Sequence, residues 1–340
     1  MAKFRICVLA SEMLFASFFD AQRQARLTRL ARWELVTSSK LTPKMLDALQ
    51  AADALITTWD SPFLDEQAIK ALPNLRVIAH CGGEVKKRFS PGLFRKLTIV
   101  NTPEPMSRPT AELGAALLLY SARNIDHYRQ ALRKRSNRVY QTAHLTGADT
   151  ASGPETLIGR EIGMIGLGRI GRSLVQLLSG FNLRWIVHDP YVKPAQIKGL
   201  PVELCGLDSV IRRSSMLVLA AAATPKSKHL LNAKRLARLP DGAVLINIAR
   251  GALVDLDALT KEVFRGRLRC AIDVTDPEEP LAVDHPLRSA PGAIVTPHIG
   301  GGGPGVRGEM ADVAMDDLQR FFAGKPVRNR LTADMLDRMT

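Results

Sequence analysis

The sequence predicts an α/β protein of two doubly wound domains with parallel sheets, one inserted in the other. Short apolar runs alternate with amphipathic stretches before residue 101, as strands covered by helices do. A glycine-rich hexad, Gly166-Leu167-Gly168-Arg169-Ile170-Gly171, stands between an apolar run and a helical pattern. Two breaks, Asn101-Thr102-Pro103-Glu104-Pro105 and Gly300-Gly301-Gly302-Gly303-Pro304-Gly305, mark crossing points between the domains.

In chain order, Phe4 to Leu9, Ala54 to Thr57, Leu75 to Ala79 and Leu97 to Val100 are the strands of a first sheet. Ser61 to Leu72 is a covering helix, and Thr102 is the expected hinge. Thr110-Ala111-Glu112 opens a long helix rich in Leu and Ala that continues towards Arg133, and the polar stretch Asn137 to Gly159 reads as an extended loop. After the hexad, strands recur at Trp185 to His188, Met216 to Ala220, Ala243 to Asn247, Cys270 to Val274 and Ala293 to Val295. A last helix, from Val306 to Phe322, returns to the first domain. The expected division is residues 1–103 for the first part of one domain, 104–297 for the inserted domain, and 298–340 for the return.

With 340 residues, 46% of them hydrophobic and 24% charged, the chain can bury two cores. The apolar start is cut by Ser11 and Glu12 before it reaches signal-peptide length. No run approaches the ~18 apolar residues of a membrane span, so no membrane association is expected and a cytoplasmic location is. Cys7, Cys81, Cys205 and Cys270 have neither metal-ligand nor redox spacing, so they are read as small hydrophobes and no metal is expected. The formal charge of +14 is high and raises anionic partners. Its densest cluster, Arg129 to Arg138, reads as a solvated helix end and loop; an anionic substrate suits such a surface, and nucleic acid is not expected.

The hexad follows the run Ile162 to Ile165 and precedes Arg172-Ser173-Leu174-Val175-Gln176-Leu177-Leu178, the context of a Rossmann dinucleotide-binding turn. Gly166 permits the tight turn, Gly168 lets backbone approach a pyrophosphate, and Gly171 allows close helix packing, while the N–H groups of Arg169 and Ile170 face the phosphates. Asp189 ends the next strand, where its carboxylate accepts ribose hydroxyls and repels a 2′-phosphate, so NAD is the expected cofactor. Three polar residues stand where a parallel sheet presents functional side chains. His298 follows the strand Ala293 to Val295, and Glu278 lies in a Pro-bounded loop after another strand. Arg250 follows Ala243 to Asn247 in Asn247-Ile248-Ala249-Arg250-Gly251. A carboxylate favours the charged form of a neighbouring imidazole and fixes its tautomer, which makes an acid usable near neutral pH. The planar guanidinium can grip a 2-oxo acid through its carboxylate and keto oxygen.

On these motifs the sequence resembles the D-isomer-specific 2-hydroxyacid dehydrogenase family over nearly its whole length. The resemblance implies a flavodoxin-like substrate domain around a Rossmann NAD domain, and a homodimer whose extended arm wraps the partner. It further implies Arg250 on a 2-oxo or 2-hydroxy acid and His298 with Glu278 as the acid–base pair. Asp273 would hold the nicotinamide carboxamide, Ile248 would line the cofactor site, and the Gly82 and Gly83 N–H groups would bind the substrate carboxylate. This chain departs from the pattern in two places. Glu279 intervenes before Pro280, so Glu278 is the preferred partner of His298 and Glu279 the alternative. Glu84-Val85-Lys86-Lys87 follows the Gly82–Gly83 loop where an Asp is usual. Because the family also includes transcriptional corepressors, an NAD-sensing binding protein is the alternative to an enzyme.

Overall fold

A computed structural model describes residues 4–37, 40–133 and 156–339. The chain divides into two units, Met1–Met106 with Gly302–Thr340, and Ser107–Gly301. The first unit opens with strands β1 (Arg5–Leu9), β2 (Arg32–Val36), β3 (Ala54–Thr57), β4 (Val77–His80) and β5 (Thr98–Asn101). The second contains β6 (Glu161–Ile165), β7 (Arg184–His188), β8 (Val202–Leu204), β9 (Met216–Leu219), β10 (Val244–Asn247), β11 (Arg269–Ile272) and β12 (Ala293–Val295). The returning segment adds β13 (Arg330–Leu331) to the first unit.

In the first unit the sheet order is β13-β5-β4-β3-β1-β2, parallel except for β13. β3 and β4 are buried at every residue, which is why they read as continuous apolar runs. β2 was not expected as a strand. It pairs only with β1 at the sheet edge, and its sequence Arg-Trp-Glu-Leu-Val places charges on that edge, which suppresses the apolar signal. The returning helix Pro304–Phe322 buries Met310, Ala311, Ala314, Met315 and Leu318 in this unit's core. Asp317 on the same helix is buried and accepts from the N–H groups of Arg328 (2.6 Å) and Asn329 (3.1 Å), fixing the approach to β13.

The second unit has a seven-stranded sheet in the order β12-β11-β10-β9-β6-β7-β8. Every pairing is parallel. Chain order reverses between β6 and β9, and a ligand crevice forms at such a switch point outside the carboxyl ends of the strands. Apolar side chains fill both faces; on one of them Ala111, Ala115, Leu117 and Leu118 of helix Glu104–Ala122 pack with Ile162, Met164 and Ile246.

That helix begins earlier than its sequence suggests. Pro105 sits in the first turn, where a missing N–H is harmless, and Pro109 leaves only the Pro105 carbonyl without its helical donor. The expected continuous helix towards Arg133 is two helices, because Asn124 takes a left-handed φ of 49° before Ile125–Arg133. Most of the expected loop Asn137 to Gly159, and most of the basic cluster Arg129 to Arg138, lie outside the described residues. Among the described residues no helix is long and apolar enough to cross a membrane, and no group of His, Cys, Asp and Glu could hold a metal ion. Cys7, Cys81 and Cys270 are buried, and burial pushes each thiol up to about 12, so they are inert; Cys205 is half-buried.

Candidate active site

The turn after β6 is built by its glycines. Gly166 has φ 94°, and a Cβ there would lie 2.6 Å from the Ala221 backbone on the neighbouring strand's extension. A Cβ on Gly171 would lie 2.6 Å from the Gly166 carbonyl oxygen, so only glycine lets the helix Arg169–Leu177 start this close to the turn. At Gly168 nothing lies within 4 Å of the corresponding position. The side of the turn that faces the helix start therefore presents backbone alone, a surface that an anionic pyrophosphate can approach. Asp189, just after β7, accepts from the Leu167 N–H (2.8 Å) and the Tyr191 N–H (2.9 Å). The carboxylate is thereby locked against the glycine turn, where a ribose would meet it. These residues fit a dinucleotide.

Three loops at the carboxyl ends of β10, β11 and β12 bring the remaining polar residues together. The buried Asn247 folds the first loop: its side-chain N–H donates to the Arg250 carbonyl (2.9 Å) and its oxygen accepts from the Ala249 N–H (3.1 Å). Arg250 is half-buried, with Nη1 donating to the Ala249 carbonyl (2.7 Å). Gly251 lets this loop press on the next, since a Cβ there would lie 2.1 Å from the Thr275 carbonyl carbon. In that second loop the Thr275 hydroxyl donates to the Glu278 carbonyl, closing the turn so that the following residue is directed inwards.

The carboxylate that meets the imidazole is therefore Glu279, which corrects the expected register by one residue. His298 Nδ1 lies 3.0 Å from Glu279 Oε2, and Glu279 Oε1 accepts from the Thr275 N–H at 3.3 Å. Glu278 is exposed. Burial pushes the Glu279 carboxyl up, but the bond and charge of His298, the Thr275 N–H and the positive Arg250 outweigh it. Glu279 is held below the ordinary carboxylate range, so it is an anion at neutral pH. The side chains of His298 and Glu279 are 42% and 39% exposed, open enough to meet a ligand.

His298 has a left-handed φ of 55°, a conformation that persists only where its surroundings enforce it. Asp273, 2% exposed, does the enforcing. Its Oδ1 accepts from the Thr296 hydroxyl (2.5 Å) and the Ile299 N–H (2.9 Å), and its Oδ2 from the Gly300 N–H (2.9 Å). Its own carbonyl accepts from the His298 N–H (2.9 Å). Three of roughly four acceptor positions on this carboxylate thus hold the His298 loop. Sequence reasoning took Asp273 as a cofactor contact and did not find its clasp on residues 296–300. Asn247 was quoted in its motif without a role; a polar residue ending an otherwise apolar strand was the available signal. Ile248 is buried, its methyl 2.7 Å from where a Gly114 Cβ would stand, so it packs on the long helix.

Gly82 and Gly83 belong to the first unit, after β4. The Gly82 N–H donates to the His80 carbonyl at 2.9 Å, so one of the two expected carboxylate donors is already committed. The Gly83 carbonyl is held by the Asn101 amide at 3.0 Å.

Comparison with known proteins agrees with this geometry. Residues 115–300 match the D-isomer-specific 2-hydroxyacid dehydrogenase NAD-binding domain. The chain is 32% identical over 287 residues to a glyoxylate reductase of Pyrococcus horikoshii, covering 83% of each protein. It is 30% identical over 293 residues to a D-3-phosphoglycerate dehydrogenase of Mycobacterium leprae, covering 86% of this chain and 53% of that one. The chain therefore spans about half the length of the phosphoglycerate dehydrogenases it matches. The crystal structure of the TT0316 protein of Thermus thermophilus superposes with a TM-score of 0.76 at 30% identity, covering 97% of this chain and 100% of that one. A parallel sheet with its glycine turn at the switch point, an Arg–Glu–His set at the carboxyl ends of its strands and this breadth of similarity lead to one assignment: the chain belongs to the D-isomer-specific 2-hydroxyacid dehydrogenase family and carries its NAD-binding domain.

Proposed function

We propose that the protein is an NAD-dependent D-2-hydroxyacid dehydrogenase that reduces a small 2-oxo acid reversibly. The observation that carries this reading is the His298–Glu279 pair, 3.0 Å apart, with Arg250 near enough to act on the same carboxylate. Bound at the Gly166–Gly171 turn, the nicotinamide dinucleotide supplies the hydride that reduces the keto carbon. Arg250 binds the substrate carboxylate and keto oxygen and orients that carbon. Because Glu279 engages Nδ1 of His298, the tautomer is set and Nε2 is the nitrogen that delivers a proton to the developing alkoxide. In the oxidative direction the same Nε2 takes the hydroxyl proton. Asp273 serves first as the clasp that aims His298, and its remaining acceptor position is the one a nicotinamide carboxamide would use.

The test is NADH oxidation by the purified chain against glyoxylate, hydroxypyruvate, pyruvate, phenylpyruvate and 2-oxoglutarate. Turnover of at least one is expected, and chiral analysis should return the D product; inertness towards every one would sink the reading. The same reading takes the chain as a cytoplasmic homodimer, and its mass in solution checks the dimer.

Cofactor preference follows from Asp189. Its carboxylate stands at the glycine turn, so a 2′-phosphate would meet repulsion and lose a ribose hydrogen bond. NADH should bind at least about tenfold more tightly than NADPH, which is ~1.4 kcal/mol. Fluorescence titration of both cofactors decides it: equal affinities would remove Asp189 from the role.

A further inference from the structure

The first unit contains a second set of polar groups that the catalytic pair does not use. His80 ends β4 and is completely buried; the Thr57 hydroxyl lies 2.9 Å from its Nδ1, while its Nε2 has no partner among the described residues. That nitrogen lies 2.3 Å, and the Trp59 indole Nε1 3.0 Å, from where a Cβ on Gly82 would stand, so both rings converge on the glycine loop. Burial drives the His80 imidazole down to about 3, so it is neutral and adds no charge here. The charge comes from Arg307, in the first turn of helix Pro304–Phe322, whose guanidinium carbon lies 5.4 Å from the Trp59 ring centroid. Its Nε is buried without a hydrogen-bond partner among the described residues, and no carboxylate there forms an ion pair with it. The nearest acidic neighbour in sequence to Trp59, Asp60, is committed to the Ser11 N–H (2.8 Å) and the Thr58 hydroxyl (2.6 Å).

The turn that carries Arg307 is itself anchored. Arg23 donates from Nε to the Gly308 carbonyl (2.8 Å) and pairs through Nη2 with Asp312 (2.8 Å). Any side chain at 308 would collide with that guanidinium, since a Cβ there would lie 2.5 Å from its carbon. A cation held on an aromatic face by a braced helix start, and not neutralised by a carboxylate, is pre-organised for an anion. A buried donor without a partner calls for the same explanation.

We propose that Arg307, stacked on Trp59, receives the carboxylate of a 2-oxo or 2-hydroxy acid in the first unit, with the Trp59 indole N–H and the Gly83 N–H as its uncharged donors. The receptor replaces the donor lost where the Gly82 N–H is spent on His80, and the guanidinium gives a charge-assisted fork that backbone alone does not. It rests on the dehydrogenase reading for the identity of the acid.

Arg307→Met should raise KM for glyoxylate, pyruvate and hydroxypyruvate alike by about ten- to hundredfold, the effect of losing one charge-assisted contact, with a much smaller change in kcat. NADH affinity should be unchanged. Arg307→Lys should recover part of the loss, since it keeps the charge without the fork. Binding is also read without turnover: oxamate, a non-reducible analogue, should change the tryptophan fluorescence of the wild-type protein and not of Arg307→Met or Trp59→Phe. Wild-type KM in Arg307→Met overturns the proposal. So does a loss confined to acids with a second anionic group, which would assign Arg307 to the distal end, and so does a lowered Tm with KM intact. Oxamate binding through Arg307 in a protein that reduces no 2-oxo acid would keep the receptor and sink the dehydrogenase reading. Turnover that is indifferent to Arg307→Met would do the reverse.

Discussion

Replacing His298 with alanine is expected to lower the turnover of a 2-oxo acid by about two to four orders of magnitude, the range for removal of a positioned acid or base. NADH affinity should stay close to wild type, because the glycine turn and Asp189 form their contacts independently of residue 298. The partner is tested in the same series. Glu279→Gln removes the anion 3.0 Å from Nδ1 and should shift the high-pH limb of the reduction profile to lower pH, because the protonated ring loses its stabilising neighbour. The sign on the acid side is opposite. Glu279 is held below the ordinary carboxylate range, so the pair survives as pH falls through that range and is lost only when Glu279 itself is protonated. Glu278→Gln should leave the profile in place. A shift produced by Glu278→Gln and not by Glu279→Gln would return the pair to its sequence register.

Asp273→Asn should have the second largest effect, and it should appear in stability and rate together. The substitution keeps size and shape but turns an NH2 group towards N–H and O–H donors that the carboxylate now accepts. Leaving such buried donors unsatisfied costs about 2–5 kcal/mol when several belong to one network. For a unit of this size that is a Tm decrease of roughly 5–15 °C. Turnover should fall by about two decades, because His298 is then free to leave its left-handed conformation and Nε2 loses its aim. Calorimetry and steady-state kinetics on one preparation are sufficient. A variant that weakens NADH binding while keeping Tm and the pH profile would show that Asp273 acts on the nicotinamide alone and that the clasp is incidental.

Much of the fold could be read in the order of residues because its signals are local. A buried parallel strand is an apolar run, and the glycine turn is three residues whose missing side chains are needed within six positions. β2 escaped because an edge strand carries charge, and β13 because two residues hold no period. The long helix was opened too late because proline is a weaker breaker in a first turn than in an interior. The candidate site was legible as types and not as partners. Arg250, a Glu of the 278–279 pair and His298 could be named from their places after strands, yet which Glu faces the imidazole depends on one hydroxyl, Thr275, closing on the Glu278 carbonyl. The roles of Asn247 and Asp273 in folding the loops, and the meeting of Arg307 with Trp59 across nearly the whole chain, are likewise invisible in sequence spacing. The physical reason is range. Periodicity and turn chemistry act over a few residues, whereas hydrogen-bond partners in loops after parallel strands come from segments that meet only when the sheet has formed.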